Sequence, residues 1–134
     1  MKMYTLGHDF MPPGIHAGGL RYHGDSPLVS QLFHEKMLEA IAVPQVATFE
    51  AGVQFARAEG IIPAPESCHA IRGAIDEALR CKATGEEKTI LIGLTGHGHF
   101  DMASYDKYFS NQLEDFDYPA EAITSSLAHL PKVG

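Results

Sequence analysis

Apolar residues recur at intervals of three and four along several stretches of this chain, the spacing that gathers side chains on one face of an α-helix. The pattern is clearest from Glu66 to about Ala83. There Ile71, Ala74, Ile75, Ala78 and Leu79 share a face, and Arg72, Asp76, Glu77, Arg80 and Lys82 lie opposite. Gly85 ends that helix. A second runs from Pro44 to Gly60 with Val46, Phe49, Val53 and Ala56 in step, Gly60 serving as the usual kind of stop. Ser26-Pro27 reads as an N-cap followed by proline at the first helical position. The helix it opens carries Leu28, Leu32 and Phe33 on one face and ends near Lys36. Two more helices are expected over roughly Met102 to Leu113 and Pro119 to Leu130. Ile61-Ile62-Pro63-Ala64-Pro65 is an extended link, because each proline disfavours helix in the residue before it.

Two stretches follow another rule. Leu38 to Val43 reads as a short strand. Thr89 to Thr95, β-branched and aliphatic with one glycine, has the composition of a strand buried on both faces. Residues 1 to 25 hold no lasting period, since Pro12, Pro13, Gly14, Gly18, Gly19 and Gly24 interrupt them. A leader of that length without regular structure is usually functional. The expectation is one α/β domain over 1–134, an irregular leader over 1–25 and a helix-rich body over 26–134. Two strands are too few for a self-sufficient sheet, which points to strands supplied from elsewhere.

Composition narrows the function. The 134 residues suffice for one domain with a real core. Seventeen acids against ten bases give a net charge of −7, with no basic stripe, which argues against nucleic acid or an anionic membrane as partner. No apolar run is long enough to span a bilayer, and the first residues lack the continuous apolar segment of a signal peptide. A cytoplasmic protein is the expectation. Cys68 and Cys81 fall on one helix about 20 Å apart along its axis, too far to bridge, so both are expected reduced and partly buried. The eight histidines are scattered.

Candidate chemistry gathers where the second strand ends. Thr95 to Asp101 turns sharply through Gly96-His97-Gly98-His99, and ligands of α/β folds sit at such carboxyl ends. The two glycines permit positive φ and a close backbone approach to something bound. The plainer alternative is an ordinary strand-to-helix turn. Glu66 opens a helix after the proline-rich link, a place the helix dipole favours for any carboxylate, so it is either a site residue or a helix-start residue. His69, one turn further, reads equally as a core or boundary histidine. His97 and His99 have a spacing that metal sites use, without the acidic or cysteine partners of recognised zinc patterns. Cys68 and His69, adjacent on a helix, point apart and make no dyad. Neither G-x-x-x-x-G-K-[ST] nor G-x-G-x-x-G occurs.

Three stretches, H-A-G-G-L-R-Y-H-G (16–24), A-R-A-E-G-I-I-P-A-P-E-S-C-H-A-I (56–71) and L-T-G-H-G-H-F-D (94–101), together resemble the tryptophan synthase β chain, and more narrowly its second, α-subunit-independent branch. The resemblance runs along nearly the whole chain but corresponds only to the C-terminal third of that enzyme. It implies part of a pyridoxal-phosphate enzyme of fold-type II, a three-layer α/β/α architecture with parallel strands, which joins indole to L-serine to give L-tryptophan. It further implies that the Thr95 hydroxyl, with Gly96 beside it, meets the pyridine nitrogen of the cofactor and that Glu66 lines the cofactor ring. A neutral hydroxyl there leaves the ring nitrogen largely unprotonated and tempers its electron-sink character. Leu20, Tyr22 and Gly24 match positions whose backbone carbonyls hold a monovalent cation.

The departures from that family are specific. Arg21 stands where the main branch has an acid that meets the substrate hydroxyl, and His97 and His99 replace an Arg and an Asp at the corner, which puts Arg21 and His97 on the substrate side. The family's Schiff-base lysine and glycine-rich phosphate cradle belong to its N-terminal two-thirds. None of Lys2, Lys36, Lys82, Lys88, Lys107 or Lys132 stands in a matching context, and Gly18-Gly19 is no substitute for the cradle. The chain alone is therefore expected to be inactive, with a second copy of itself or the enzyme's N-terminal half as partner. A non-catalytic module that binds a ligand or a subunit is the alternative.

Overall fold

The computed structural model describes residues 2–131. Among them are five α-helices: α1 (Pro27–His34), α2 (Gln45–Glu59), α3 (Pro65–Thr84), α4 (Met102–Phe109) and α5 (Ala120–Ala128). Short 3-10 turns lie at Gly18–Leu20 and Gly98–Phe100. The described residues form two compact units, one from 15–18 and 43–115 and the other from 2–14, 19–42 and 116–131.

The 43–115 unit is built on α2 and α3, which pack against one another across the five-residue link 60–64. Both end as the sequence predicts, with Gly60 (φ 71°) and Gly85 (φ 73°) in the left-handed conformation that glycine adopts without steric penalty. Pro65 sits in the first turn of α3, where its missing N–H costs nothing. The start of α2 is capped from far along the chain. The Asp115 carboxylate accepts from the Val46 N–H at 3.0 Å, the buried Gln45 amide donates to the Glu114 carbonyl, and its oxygen accepts from His16 N–H at 3.3 Å.

The core of this unit is Phe49, Cys68 and Tyr105, with Val53, Ile62, Tyr108 and Leu113 packed against it. The Phe49 and Tyr105 rings meet edge-on at 5.1 Å. Gly52 allows α3 this close, because a Cβ there would collide with the Cys68 sulfur and lie 3.1 Å from the Tyr105 hydroxyl. That hydroxyl donates to the Pro63 carbonyl at 2.6 Å and lies 3.4 Å from Cys68 Sγ. Burial, and then the thiol beside it, push the Tyr105 phenol well above its ordinary range. Tyr105→Phe leaves the Pro63 carbonyl without its donor and is expected to lower unfolding free energy by about 1–2 kcal/mol, read as a lower urea midpoint at unchanged slope.

Both predicted strands are corrected. Neither 38–43 nor 89–95 lies in a strand, and among the described residues the only β-pairing is the isolated antiparallel bridge Thr5↔Gly24. A strand is completed by a neighbour's hydrogen bonds, and no other segment described here lies alongside 89–95 to supply them. The burial expected of that segment is missing too: Leu91 is 95% exposed, and Ile90 and Leu94 are also exposed. Leu79, expected on the buried face of α3, is likewise exposed. α4 ends earlier than the periodicity suggests, and Asn111 beyond it takes a left-handed φ of 54°. At the far end of α3, Arg80 bonds Glu77 and Glu86 at 2.7 Å each, and Lys88 bonds Glu77 at 3.2 Å. The hydrogen bonds from Arg80 and Lys88 hold the Glu77 carboxyl down at about 2.

In the other unit the leader is fastened to α1. Leu6 N–H donates to the His23 carbonyl at 2.7 Å, Asp25 N–H to the Tyr4 carbonyl at 3.0 Å, and Tyr4 N–H to the buried Ser30 hydroxyl at 3.1 Å. Tyr4 also meets Phe33 of α1 edge-on. Phe10 packs against Tyr118 ahead of α5. No helix among the described residues is long and apolar enough to cross a membrane.

Candidate functional site

The corner after residue 94 is held by its neighbours within the same unit. Ser67, in the first turn of α3, accepts from the Thr95 N–H at 3.0 Å and donates to the Thr95 carbonyl at 2.6 Å, and its oxygen lies 3.2 Å from the Thr95 hydroxyl. Gly96 then turns the chain with φ 65°. Gly98 does not take a positive φ. Its N–H donates to the Ile62 carbonyl at 2.8 Å, and a Cβ on it would lie 2.5 Å from the Pro63 oxygen. The close approach expected of the second glycine is thus to the 61–65 link.

Glu66 and Asp101 stand at this corner on two different elements, the first turn of α3 and the residue ahead of α4. Burial, followed by the charge of Glu66, pushes the Asp101 carboxyl up, while His97 and His16 pull it back. His16 reaches Ser104 of α4, Nδ1 to Oγ 3.1 Å. The raised value has a definite sign. Ionised Asp101 costs stability in the fold, a cost absent below its ordinary 3.8 and growing as pH rises through the raised value. Asp101→Asn is therefore expected to raise the melting temperature at pH 7 and to leave it unchanged near pH 3, as a paired thermal melt would read.

The histidines and cysteines fall into separate roles. His97 Nδ1 accepts from the His99 N–H at 3.3 Å, and the two rings meet edge-on at 4.8 Å. His69 turns back on its own helix, Nδ1 3.0 Å from the Pro65 carbonyl, while Cys68 points into the core with its thiol raised chiefly by burial. Cys68 and Cys81 are both free, as their spacing implies, and both are buried rather than partly so. Among the described residues no three His, Cys, Asp or Glu side chains gather in a way that could hold a metal ion.

The residues matched to a cation site lie in the other unit. Leu20 closes the turn Gly18–Leu20, Tyr22 is exposed, and Gly24 pairs with Thr5. The His23 carbonyl between them is taken up by Leu6 N–H and the Thr5 hydroxyl. Arg21 donates from Nε to the Pro13 carbonyl at 3.0 Å. His8, His23 and His34, far apart in sequence, line one open groove of about 960 Å³ in this unit with Tyr4 and Ser30. Lys132 lies outside the described residues.

Sequence reasoning missed Ser67 and Tyr105. Both act on residues distant in the chain, and Ser67 has the local look of an ordinary helix-start serine.

No protein-family model matches the chain. Curated relatives do. It is 69% identical over 113 residues to tryptophan synthase beta chain 2 of Methanosarcina acetivorans, covering 84% of this chain and 26% of that one. It is 64% identical over 115 residues to the protein of the same name from Aquifex aeolicus, 86% of this chain and 26% of that one. With tryptophan synthase beta chain of Pyrococcus horikoshii it shares 50% over 131 residues, 98% of this chain and 28% of that one. The chain thus spans about a quarter of the length of the curated relatives it matches.

Proposed function

The chain belongs to the tryptophan synthase β chain family, and on that premise we propose that it supplies one wall of a pyridoxal-phosphate site that joins indole to L-serine. The sequence identity of 50–69% along most of the chain carries this reading. The chemistry of the corner supports it. Thr95 offers a neutral hydroxyl on an anchored backbone, suited to the nitrogen of a pyridine ring, with Gly96 beside it and Glu66 on the adjoining helix start. When bound, such a cofactor supplies an electron sink for bond-breaking at the substrate amino acid. The fit stops at the pyridine end, because no lysine here stands in the family's aldehyde-bearing context and no glycine-rich phosphate cradle is present.

The remaining assignments belong to the same proposal. Thr95 binds and orients the ring nitrogen, and Glu66 faces the ring. Arg21 and His97 shape the substrate side, and the carbonyls of Leu20, Tyr22 and Gly24 take a monovalent cation. The sheet of a fold-type II enzyme is completed by strands from the rest of the family's length, or from a second copy.

Thr95→Val tests the central assignment in the enzyme completed with the rest of the family's length. The change is nearly isosteric, and the backbone bonds to Ser67 do not use the Thr95 hydroxyl. Turnover is expected to fall roughly two- to tenfold, the loss of one hydrogen bond of about 0.5–1.5 kcal/mol, with the melting temperature nearly unchanged. Full turnover in the variant would return the corner to an ordinary turn and favour the non-catalytic binding module.

A further inference from the structure

We infer that Ser67 is a positioning residue, whose hydroxyl clamps the backbone of Thr95 so that the Thr95 side chain is presented in one place to the ligand. The identity of that ligand rests on the function proposed above; the clamp does not.

Thr95 needs such a clamp. Among the described residues the segment before it forms no ladder and is largely exposed, so within this chain alone no sheet fixes its backbone. After it comes Gly96, in a conformation that glycine enters and leaves freely. Ser67, by contrast, is 3% exposed and precedes Cys68 of the core. It is therefore a fixed point beside a loose one.

The bonding uses the whole capacity of one hydroxyl. A serine has one proton and two acceptor sites. The proton goes to the Thr95 carbonyl at 2.6 Å, and one acceptor site takes the Thr95 N–H at 3.0 Å. The contact between the two hydroxyls, at 3.2 Å, then has only the Thr95 proton to use. Since Ser67 has nothing further to donate, the Thr95 hydroxyl is the donor of that contact, and a ligand acceptor competes with the second acceptor site of Ser67 for its proton. A serine in a first helical turn ordinarily bonds its own helix. This one reaches 28 residues away.

Amide hydrogen exchange of the full chain, followed by NMR, tests the clamp. Ser67→Ala is expected to speed exchange at Thr95 at least tenfold while the amides of Phe49, Cys68 and Tyr105 keep their protection; Ser67→Thr, which retains a hydroxyl, restores it. Should Ser67→Ala lose the core protection as well, Ser67→Cys, similar in size and a weak donor, carries the same comparison. Unchanged exchange at Thr95 overturns the proposal. In the enzyme completed with the rest of the family's length and loaded with ¹⁵N-labelled pyridoxal phosphate, the ring-nitrogen resonance is expected to shift in Ser67→Ala and to return in Ser67→Thr. A resonance that does not move, despite lost protection at Thr95, overturns the positioning role. If the completed enzyme takes up no cofactor, the proposed function fails and the exchange result alone decides for or against the clamp.

Discussion

Gly98→Ala is expected to destabilise the 43–115 unit by about 2–3 kcal/mol, the upper part of the usual range for forcing a methyl group into filled space. The added carbon would lie 2.5 Å from the Pro63 carbonyl oxygen, 2.7 Å from Ile62 Cγ2 and 3.0 Å from Tyr105 Cε2. The first of these is backbone of the link that starts α3, and the third belongs to the core, so neither yields without moving something else. The Gly98 N–H also bonds the Ile62 carbonyl, which holds the two strands of chain together from the other side. Gly96→Ala is the control. It meets only the Ala64 Cβ at 3.5 Å, an ordinary contact, and costs about 1–2 kcal/mol for its left-handed φ. Urea titration of both variants should rank Gly98→Ala as the worse. A smaller loss there than at Gly96 would contradict the close approach.

On the function proposed above, catalysis is expected only in a complex with the polypeptide that corresponds to the rest of the family's length. The 134-residue chain mixed with pyridoxal phosphate should show no absorbance band at about 410–430 nm that survives dialysis and is abolished by borohydride, because no lysine stands in a context that prepares it as a nucleophile. The exposed apolar residues Ile90, Leu91 and Leu94 are expected to drive the chain alone into dimers or larger species at micromolar concentration. Sedimentation velocity reads this directly. Adding the polypeptide that corresponds to the rest of the family's length should replace that self-contact with a mixed complex that binds the cofactor and turns over. A stable monomer that ignores the added polypeptide would leave the non-catalytic module as the better account.

The parts of this fold that were legible in the sequence are those decided within a few residues. Gly60 and Gly85 stop their helices as read, since a left-handed residue after a helix needs no distant partner. Pro27 opens its helix for an equally local reason, whereas Pro65, read as the last residue of the extended link, is the first of α3. The position of the corner was legible too, from two glycines and a change of pattern. The strands were not. The β-branched run at Thr89–Thr95 is suited to a sheet, but a sheet is a relation between segments, and composition does not state whether the second segment is present. Gly98 shows the same limit at one residue: the need for a glycine was visible, while the Pro63 carbonyl that makes the need lies 35 positions earlier in the sequence. Ser67 and Tyr105 were invisible because their partners are 28 and 42 residues away.

The way α2 and α3 are joined fixes an order of assembly. Only five residues separate them, so this hairpin forms from local encounters, whereas the Tyr105 bond to Pro63 closes a loop of 42 residues and the Gln45 bond to Glu114 one of 69. Loop-closure entropy grows with the logarithm of length, so the longer closure costs only about 0.4 kcal/mol more than the shorter. The two distant ties therefore form together, late, on a hairpin already made. A late contact leaves the folding rate alone and governs how fast the native state comes apart. The loss in Tyr105→Phe accordingly belongs to the unfolding limb of a chevron plot, with the refolding limb superimposing on that of the unaltered chain.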